Sequence, residues 1–180
     1  LIRRSAQTAL YLILDTLTKL FAPILAFTCD EIWLAMPHRD GDDGRNVLLN
    51  EMNAPFTACT LDAGTMAKWD KIISVRNAVN GALETARNEK KIGKSLEARV
   101  DVVVPAEDAF LAEMDSSDLA SLFIVSQVNL TVGDTLSVSV DHAEGGKCLR
   151  CWTHSASVGS DSTYPDLCAR CARVLHAAQF

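Results

Sequence analysis

The 180-residue sequence lacks several features that would place a protein in a familiar class. It has no run of about 18 apolar residues, so we expect no membrane-spanning helix. Its 4 histidines stand alone, and no Ser/His/Asp or Cys/His arrangement predicts a nucleophilic catalyst. The sequence also has no internal repeat and no low-complexity tract. Because it starts with Leu1 rather than Met, inside a helical pattern, we expect a piece of a longer protein.

The distribution of charge divides the second half of the sequence. The net charge of −6 argues against indiscriminate nucleic-acid binding. Residues 65–99 nevertheless hold eight Lys or Arg against four Asp or Glu, a net of +4, whereas residues 100–146 hold nine acidic residues and no basic one. This pattern indicates two faces, of which only the basic one could meet a polyanion. Two ordinary solvated surfaces are the alternative.

Two motifs that would indicate other chemistry are incomplete. Gly93, Lys94 and Ser95 resemble the end of a phosphate-binding loop, but Asn88 occupies the place of its first glycine, and a helix rather than a strand precedes it. The three aspartates within residues 40–43 lack the spaced ligands and terminal Glu of a calcium loop. We therefore expect a binding module that has no catalytic residues of its own.

Cysteine spacing gives the strongest signal in the sequence. Two Cys-x-x-Cys pairs, sixteen residues apart, suit a tetrahedral zinc ion held by four thiolates. The small and polar residues 155–162 can form the turn that returns the chain to the ion. Alternatives are disulfides, one redox pair, iron on the same sulfurs, or His142 or His154 in place of one cysteine. The four expected ligands are Cys148, Cys151, Cys168 and Cys171.

A single structural zinc ion would supply folding energy to a segment too short for a core of its own. The remaining cysteines, Cys29 and Cys59, are isolated among apolar residues and are expected to be buried free thiols. Because four of the 6 cysteines follow a metal-binding pattern, we expect a reducing compartment and a cytoplasmic protein.

The first 60 residues predict helices. Residues 2–20 carry apolar side chains at helical spacing on one face. Pro23 interrupts this pattern and favours a second helix over residues 23–36, because proline is tolerated in a first turn. These two helices look like half of a helical bundle whose other half would precede residue 1. Extensive burial is expected for Ile24, Phe27, Cys29, Ile32, Trp33 and Met36.

The middle of the chain predicts mixed structure. A loop over residues 38–45 and an extended piece at 47–49 precede an irregular link over residues 53–64. Thr65 is expected to cap a long helix, within which Gly81 could mark a close helix crossing. Beyond it, β-branched and alternating patterns predict the following elements: strands at 100–104, 122–130 and 136–140, a helix at 106–115, and a glycine hinge at 145–146.

The expected fold class is α+β and mainly helical. A helical-bundle remnant over residues 1–52 is followed by a small mixed α/β junction subdomain over residues 53–142. A four-cysteine zinc finger over residues 143–180 ends the chain.

Four strings of residues point to one family. Residues 87–98 read Arg-Asn-Glu-Lys-Lys-Ile-Gly-Lys-Ser-Leu-Glu-Ala, and residues 69–76 read Trp-Asp-Lys-Ile-Ile-Ser-Val-Arg. Residues 147–152 place a Trp directly after the first Cys-x-x-Cys, and residues 28–33 read Thr-Cys-Asp-Glu-Ile-Trp. Together they resemble the C-terminal region of isoleucyl-tRNA synthetases, beginning at the end of the anticodon-binding helical domain. The resemblance covers nearly the whole chain.

The resemblance implies the tRNA-reading tail of a class I aminoacyl-tRNA ligase. The catalytic signatures of that family, His-x-Gly-His and Lys-Met-Ser-Lys-Ser, belong to an N-terminal part that this sequence does not contain. The same holds for bound ATP and Mg²⁺. Residues 91–95 imitate the second signature but depart from it at two positions, so no catalytic role is assigned to them.

An anticodon-reading tail implies contacts to unstacked bases and to phosphates. Arg150 lies between the first two zinc ligands and Trp152 follows them, so both would project from a metal-pinned turn. Alternatively, Trp152 covers the zinc. The implied partners are isoleucine tRNA and the rest of the synthetase chain, in a monomer without membrane contact. The expected tRNA-binding residues are Arg150, Trp152, Arg170, Lys90, Lys91 and Lys94.

A zinc-ribbon DNA-binding module, such as the terminal finger of a DNA-repair glycosylase, is the second interpretation. The basic segment at residues 65–99 would serve there too. The third interpretation is an iron electron-transfer site on the four sulfurs.

Overall fold

The computed structural model describes residues 2–177 and divides the chain into two compact units, one ending at Thr60 and the other beginning at Leu61. It confirms an α+β fold in which helices, a small sheet and a four-cysteine cluster occur together. No helix within residues 2–177 combines the length and the apolar character needed to cross a bilayer. The predicted boundaries at residues 52 and 142 stay a prediction.

Two helices form the first unit, α1 (Ile2–Phe21) and α2 (Ala26–Ala35). The second helix begins three residues later than expected, because the Ile24 and Leu25 amides donate to the Phe21 carbonyl and close α1 with a turn. Burial of Cys29, Trp33 and Met36 is confirmed, since they share one face of the chain at helical spacing.

The expected burial of Ile24 and Phe27 is wrong. Phe27 is 94% exposed because it lies on the side of α2 opposite to Cys29 and Trp33, and Ile24 lies in the turn before the helix. Ile32 is partly buried and packs against the cluster around Trp33.

Helix α1 buries its polar side and exposes its apolar side. Leu10 is 66% exposed, whereas Asp15 and Lys19 are buried. The Asp15 carboxylate pairs with Lys19 at 3.1 Å and with Arg39, and it accepts a hydrogen bond of 2.6 Å from the Asn53 side chain. These contacts tie the segment after α2 to α1, so the apolar stripe expected to face a bundle core is exposed in this unit.

The segment after α2 forms short 3-10 turns. The piece predicted as extended is a 3-10 helix, Val47–Leu49, because the Asn46 side chain accepts a hydrogen bond from the Leu48 amide at 2.8 Å. A second turn spans Thr57–Cys59. Cys29 is a buried free thiol as expected, but Cys59 is exposed, so that part of the expectation is wrong.

The second unit begins with the long helix α3 (Ala63–Asn88). Its cap is Asp62 rather than Thr65, because the Asp62 carboxylate accepts from the Thr65 amide at 2.9 Å and the Thr65 hydroxyl at 2.6 Å. A close helix crossing does not explain Gly81, since a Cβ added there would meet no neighbour within 4 Å.

Three strands form a mixed sheet that packs against α3. They are β1 (Ala98–Pro105), β2 (Gln127–Gly133) and β3 (Ser137–His142), in the order β2-β1-β3. Strand β1 pairs in parallel with β2 and antiparallel with β3, so Val100 lies between Val128 and Val140.

The crossover from β1 to β2 contains two helices where the sequence predicted one helix and an earlier strand. Ala106–Glu113 is a 3-10 helix, and Ser116–Phe123 forms helix α4. The predicted strand at 122–130 is wrong in its first part, because Asp115 caps α4 and Ile124 ends it in the left-handed region at φ 58°. Buried Phe123 completes the apolar face of this helix.

The core of the second unit packs α3, α4 and the 3-10 helix against the inward face of the sheet. Full burial of one such aliphatic or aromatic side chain stabilises a fold by about 1.5–3 kcal/mol. No cysteine belongs to this core, so it can form without a metal. Its most buried residues are Val75, Val79, Leu83, Val100, Val102, Val104, Leu111, Leu119 and Phe123.

The end of the chain is a small zinc-finger-like module. Strand β4 (Gly146–Lys147) pairs with β5 (His154–Ser155), and helix α5 (Ala169–Ala177) follows. The predicted glycine hinge is a tightly packed turn. Gly145 has φ +87°, and a Cβ there would lie 2.3 Å from the Ser155 carbonyl carbon. Only glycine fits this approach.

Candidate metal centre

The four cysteine sulfurs converge as a metal site requires. All four Sγ atoms lie within 4.8 Å of one another, and those of Cys151 and Cys168 are 3.8 Å apart. A tetrahedral zinc ion with Zn–S distances of about 2.3 Å separates its sulfurs by about 3.8 Å. A disulfide needs about 2 Å. The arrangement therefore fits a four-thiolate metal ion and not paired disulfides.

Local backbone geometry presents each cysteine pair. The first pair lies in the turn between β4 and β5, where the Trp152 amide donates to the Cys148 carbonyl at 2.8 Å. The second pair lies at the start of α5, where the Ala172 amide donates to the Cys168 carbonyl at 3.0 Å. A tight turn and a first helical turn thus deliver two sulfurs each to one point.

The cysteines of the metal-free cluster differ in acidity. Burial alone raises the pKa of the Cys151 thiol, but hydrogen bonds from the Thr153 hydroxyl and amide outweigh burial and lower that pKa to about 6. Burial raises the pKa of Cys168 to about 11. Four thiolates do not coexist without a cation, so zinc binding is coupled to proton release.

Histidine does not replace a cysteine in this cluster. The His154 Nδ1 atom lies 3.2 Å from the Gly145 carbonyl, and the His154 amide donates to the Ser126 hydroxyl at 2.7 Å. The cysteine cluster is the only group of three or more metal-capable side chains found within residues 2–177, and it contains no histidine.

The acidic loop of the first unit holds ion pairs rather than a converging metal site. Asp42 pairs with Lys19 at 3.2 Å, and Asp43 pairs with Arg45 at 2.6 Å. The Asp42 and Lys19 side chains are largely shielded from solvent.

The turn carrying the first cysteine pair presents exposed side chains, which we call the knuckle tip and define as Leu149, Arg150 and Trp152. All three are exposed, and the Trp152 side chain retains 60% of its accessible surface. Trp152 adopts φ +66°, a left-handed conformation that disfavours an L-residue by about 1–2 kcal/mol. Such strain persists where the surroundings fix it, commonly at functional sites.

The other expected contact residues occupy different surroundings. Arg170 lies between the second pair of ligands, with its guanidinium beside the Cys151 sulfur, which raises its pKa. Lys90 ends α3 in the left-handed region, and Lys94 is exposed. Lys91 is instead paired with Asp141 at 2.7 Å.

The loop after α3 borders the base of the zinc module. The Gly93 and Lys94 amides donate to the Glu97 carboxylate at 2.8 and 3.1 Å, and these bonds lower the pKa of Glu97. The nearby charges of Lys147 and His154 lower it further. The Gly93 and Lys94 amides are therefore engaged by Glu97 and are not free to bind a phosphate. Lys90, Lys91 and Lys94 belong to the same compact unit as the four cysteines.

Sequence reasoning missed two features of this site. Thr153 supports the Cys151 sulfur through its hydroxyl at 3.0 Å. Leu149 contributes an exposed apolar side chain to the knuckle tip. A hydroxyl residue two positions after a ligand was the available signal for Thr153, whereas nothing in the sequence distinguished Leu149 from a buried leucine.

Comparisons with known proteins match both ends of the chain. Residues 2–103 match the family described as "Anticodon-binding domain of tRNA ligase". Residues 145–174 match the "Zinc finger found in FPG and IleRS". Because the second match covers the four converging cysteines, the cofactor of this chain is one structural zinc ion.

Similar curated proteins are isoleucine–tRNA ligases. That of Syntrophotalea carbinolica is 46% identical over 184 residues, which cover 96% of this chain and 19% of the relative. That of Staphylococcus epidermidis is 43% identical over 183 residues, with the same coverages of 96% and 19%. The ligase of a Thermoanaerobacter species is 39% identical over 190 residues, covering 94% and 19%.

The chain spans about a fifth of the length of the curated relatives it matches, and it aligns with their non-catalytic C-terminal part. The match over residues 2–103 takes in both helices of the first unit, α3 and most of β1. The chain belongs to the anticodon-binding domain family of tRNA ligases.

Proposed function

We propose that this chain is the anticodon-reading region of an isoleucine–tRNA ligase, a class I enzyme that attaches isoleucine to its tRNA using ATP. Its partners are then isoleucine tRNA and the rest of the ligase chain, in a cytoplasmic monomer that does not contact membranes. ATP and Mg²⁺ belong to the catalytic part of that enzyme. The family match over residues 2–103, joined to identities near 40% with such ligases, supports this assignment.

The observation that carries the RNA-binding role is the exposed, strained Trp152. A tryptophan that shielded the zinc ion would lie over the sulfurs, yet 60% of its surface is accessible. The ring is exposed on a turn that a bound zinc ion would hold rigid. A pre-oriented aromatic surface suits stacking on an unpaired base, which is how single-stranded RNA loops are recognised.

Charged neighbours support the same role. Arg150 is exposed on the knuckle tip, and Lys90 and Lys94 are exposed beside the base of the module. These cations can meet phosphates, which supply most of the salt-dependent affinity for nucleic acid. Lys91 contributes less, because its ammonium is neutralised by Asp141. The Arg170 guanidinium is held beside the Cys151 sulfur, so it is less free than Arg150 to meet a phosphate.

The apolar stripe on α1 supports the proposed partnership with the rest of the ligase chain. Leu10, Ile13 and Leu17 are exposed on one side of the helix. Monomeric soluble proteins rarely leave such contiguous surface unpartnered. Helices from the preceding part of the ligase would bury it and complete the bundle that the sequence pattern indicates.

The DNA-binding alternative is not favoured. The zinc-finger family includes both DNA-repair glycosylases and isoleucine–tRNA ligases, so that match does not separate the two interpretations. The anticodon-binding match over residues 2–103 is explained only by the tRNA-ligase interpretation. Competition between isoleucine tRNA and a DNA duplex for the zinc-loaded protein would separate the two.

Binding of isoleucine tRNA to the full-length ligase at several salt concentrations tests the proposal. Trp152→Ala should weaken binding by about 5- to 100-fold with little change in salt dependence, because a stacked base contributes about 1–3 kcal/mol. Arg150→Ala should weaken binding with a shallower salt slope if Arg150 meets a phosphate. Trp152→Phe retains an aromatic ring and serves as the matched control.

Zinc content must be measured in each of these variants, since a variant that loses the metal reports on folding. Unchanged affinity in both alanine variants, with zinc retained, would refute an RNA-contacting role for the knuckle tip.

A further inference from the structure

A bound zinc ion would leave the four-cysteine cluster with a net negative charge. Four thiolates outweigh the charge of one zinc ion by two negative charges. Three of the four cysteines are buried, and Cys151 is partly exposed. Charge that is shielded from water is costly unless other groups neutralise it or donate hydrogen bonds to it. The site therefore needs donors around its sulfurs.

Neutral groups supply part of this need. The Cys168 amide donates to the Cys148 sulfur at 3.3 Å, and the Thr153 hydroxyl lies 3.0 Å from the Cys151 sulfur. Both groups can satisfy a thiolate by hydrogen bonding, but neither carries a charge. The two negative charges of the filled site are not offset by these contacts.

Arg170 adds a charged donor that reaches both halves of the cluster. Its guanidinium is hydrogen-bonded to the sulfurs of Cys151 and Cys171. The first of these cysteines lies in the turn between β4 and β5, and the second lies in α5. A guanidinium presents its N–H groups in a planar fork, so one side chain can join acceptors from two different elements.

The position of Arg170 in α5 is unfavourable unless negative charge lies nearby. It is the second residue of the helix Ala169–Ala177, whose first turn contains no acidic residue. A cation in a first turn is opposed by the positive end of the helix dipole. The thiolates at the same end of α5 offset this repulsion. The placement therefore suits a role at the metal site better than a role in stabilising the helix.

We propose that Arg170 is a positioning residue of the zinc site, which holds one sulfur of each cysteine pair towards the metal and strengthens zinc binding. This inference concerns the metal site and does not depend on RNA binding. Partners that hydrogen-bond to metal ligands typically contribute about 10- to 100-fold to metal affinity. Because the Arg170 side chain is exposed, solvent screening favours the lower end of that range.

Competition for zinc between the full-length ligase and a chelator tests this inference. Arg170→Gln removes the charge and should lower zinc affinity about tenfold. Arg170→Lys keeps the charge but loses the fork, so its affinity should lie between those of Arg170→Gln and the wild-type protein. Arg173→Gln removes an exposed charge from the same helix and should bind zinc as the wild-type protein does. Zinc that remains in Cys168→Ser is subtracted as background.

Cobalt substitution reports on the contact between Arg170 and the sulfurs. A hydrogen bond from a cation stabilises the lone pairs of a thiolate, so thiolate-to-cobalt charge transfer then requires more energy. Arg170→Gln should shift this absorption to longer wavelength, whereas Arg173→Gln should leave it in place. A side chain that merely packed against the module would not produce the shift.

The outcomes decide the role of Arg170. Wild-type zinc affinity in Arg170→Gln, an unshifted cobalt absorption, or an equal loss of affinity in Arg173→Gln overturns the inference. Weaker tRNA binding by Arg170→Gln with unchanged zinc affinity also overturns it and assigns Arg170 to the RNA contact. If Arg170→Gln binds no metal at all, Arg170→Lys decides, and wild-type affinity and absorption in that variant overturn the bridging role.

Discussion

At the scale of single residues, Trp152 combines an unusual backbone conformation with an exposed aromatic side chain. Its φ of +66° would suit glycine far better than tryptophan. Strain of this kind often marks a functional position. The proposed stacking on an RNA base would give the Trp152 side chain such a function.

Trp152→Gly should raise the free energy of unfolding of the zinc module by about 1 kcal/mol, because the left-handed conformation no longer opposes a Cβ. The same change should weaken binding of isoleucine tRNA. Thermal melting of the zinc-loaded protein and tRNA titration measure the two effects. A variant that is less stable and binds tRNA normally would show that Trp152 serves the fold.

The pKa of Asp43 gives a second test at this scale. Hydrogen bonds from the Arg45 side chain lower the pKa of Asp43 to about 2, well below 3.8. Because the folded-state pKa is depressed, the stability contributed by this pair is present above pH 3.8 and disappears as the pH falls towards 2. In Arg45→Ala, the pKa should rise towards 3.8.

Carboxyl NMR titration of Asp43 in the wild-type protein and in Arg45→Ala measures this shift. Arg3→Ala, which removes a charge that makes no salt bridge with Asp43, is the control. An unshifted Asp43 in the wild-type protein would contradict the ion pair.

At the scale of elements, strong periodicity was a reliable guide and element ends were not. Helices α1 and α3 and strand β1 follow from their apolar spacing. The strand predicted at 122–130 begins too early. Its first residues are apolar, and a short apolar run is compatible with both a buried helix and a strand. The Asp115 side chain caps α4, so the chain is helical up to Phe123. A single aspartate is a weak sequence signal for the start of a helix, because this sequence contains many aspartates.

The glycine in α3 gives a prediction for that helix. Gly81→Ala should raise the free energy of unfolding of the second unit by about 0.5–1 kcal/mol, because alanine loses less backbone entropy on folding and its Cβ meets no neighbour within 4 Å. Gly145→Ala is the opposing control, since its Cβ would collide with Ser155. Urea denaturation of both variants measures the difference. Destabilisation by Gly81→Ala would indicate a helix contact at that position.

Metal removal should separate the zinc module from the sheet. Chelation, or Cys168→Ser, should abolish zinc binding and unfold β4, β5 and α5, because these elements surround the metal and have little other core. The sheet and α3 should persist, since no cysteine contributes to their core. Cys59→Ser, which changes an exposed thiol, should retain one zinc per chain.

Metal analysis and amide hydrogen exchange report on both parts. Full zinc content in Cys168→Ser would refute the four-cysteine site, and global unfolding on chelation would refute the independence of the sheet core.

At the scale of the whole molecule, the metal site could be predicted and the contact between the zinc module and the start of β2 could not. The four cysteines can be recognised as metal ligands from the sequence, because the two-residue spacing brings the sulfurs of each pair together locally. The zinc module contacts the start of β2 because the Ser126 hydroxyl accepts from the His154 amide at 2.7 Å. That contact depends on tertiary packing, which a single sequence does not display. The burial of the polar side of α1 was missed for the same reason.

We propose that the zinc-pinned turn reads the anticodon of isoleucine tRNA. It is tested most directly by the ratio of affinities of the zinc-loaded ligase for isoleucine tRNA and for the same tRNA with a swapped anticodon. We expect a ratio of about tenfold or more for the wild-type protein, since one well-read base contributes about 1–3 kcal/mol of discrimination. This ratio should fall towards one when Arg150 and Trp152 are both replaced by alanine with zinc retained. An unchanged ratio in that double variant would show that the zinc-pinned turn does not read the anticodon.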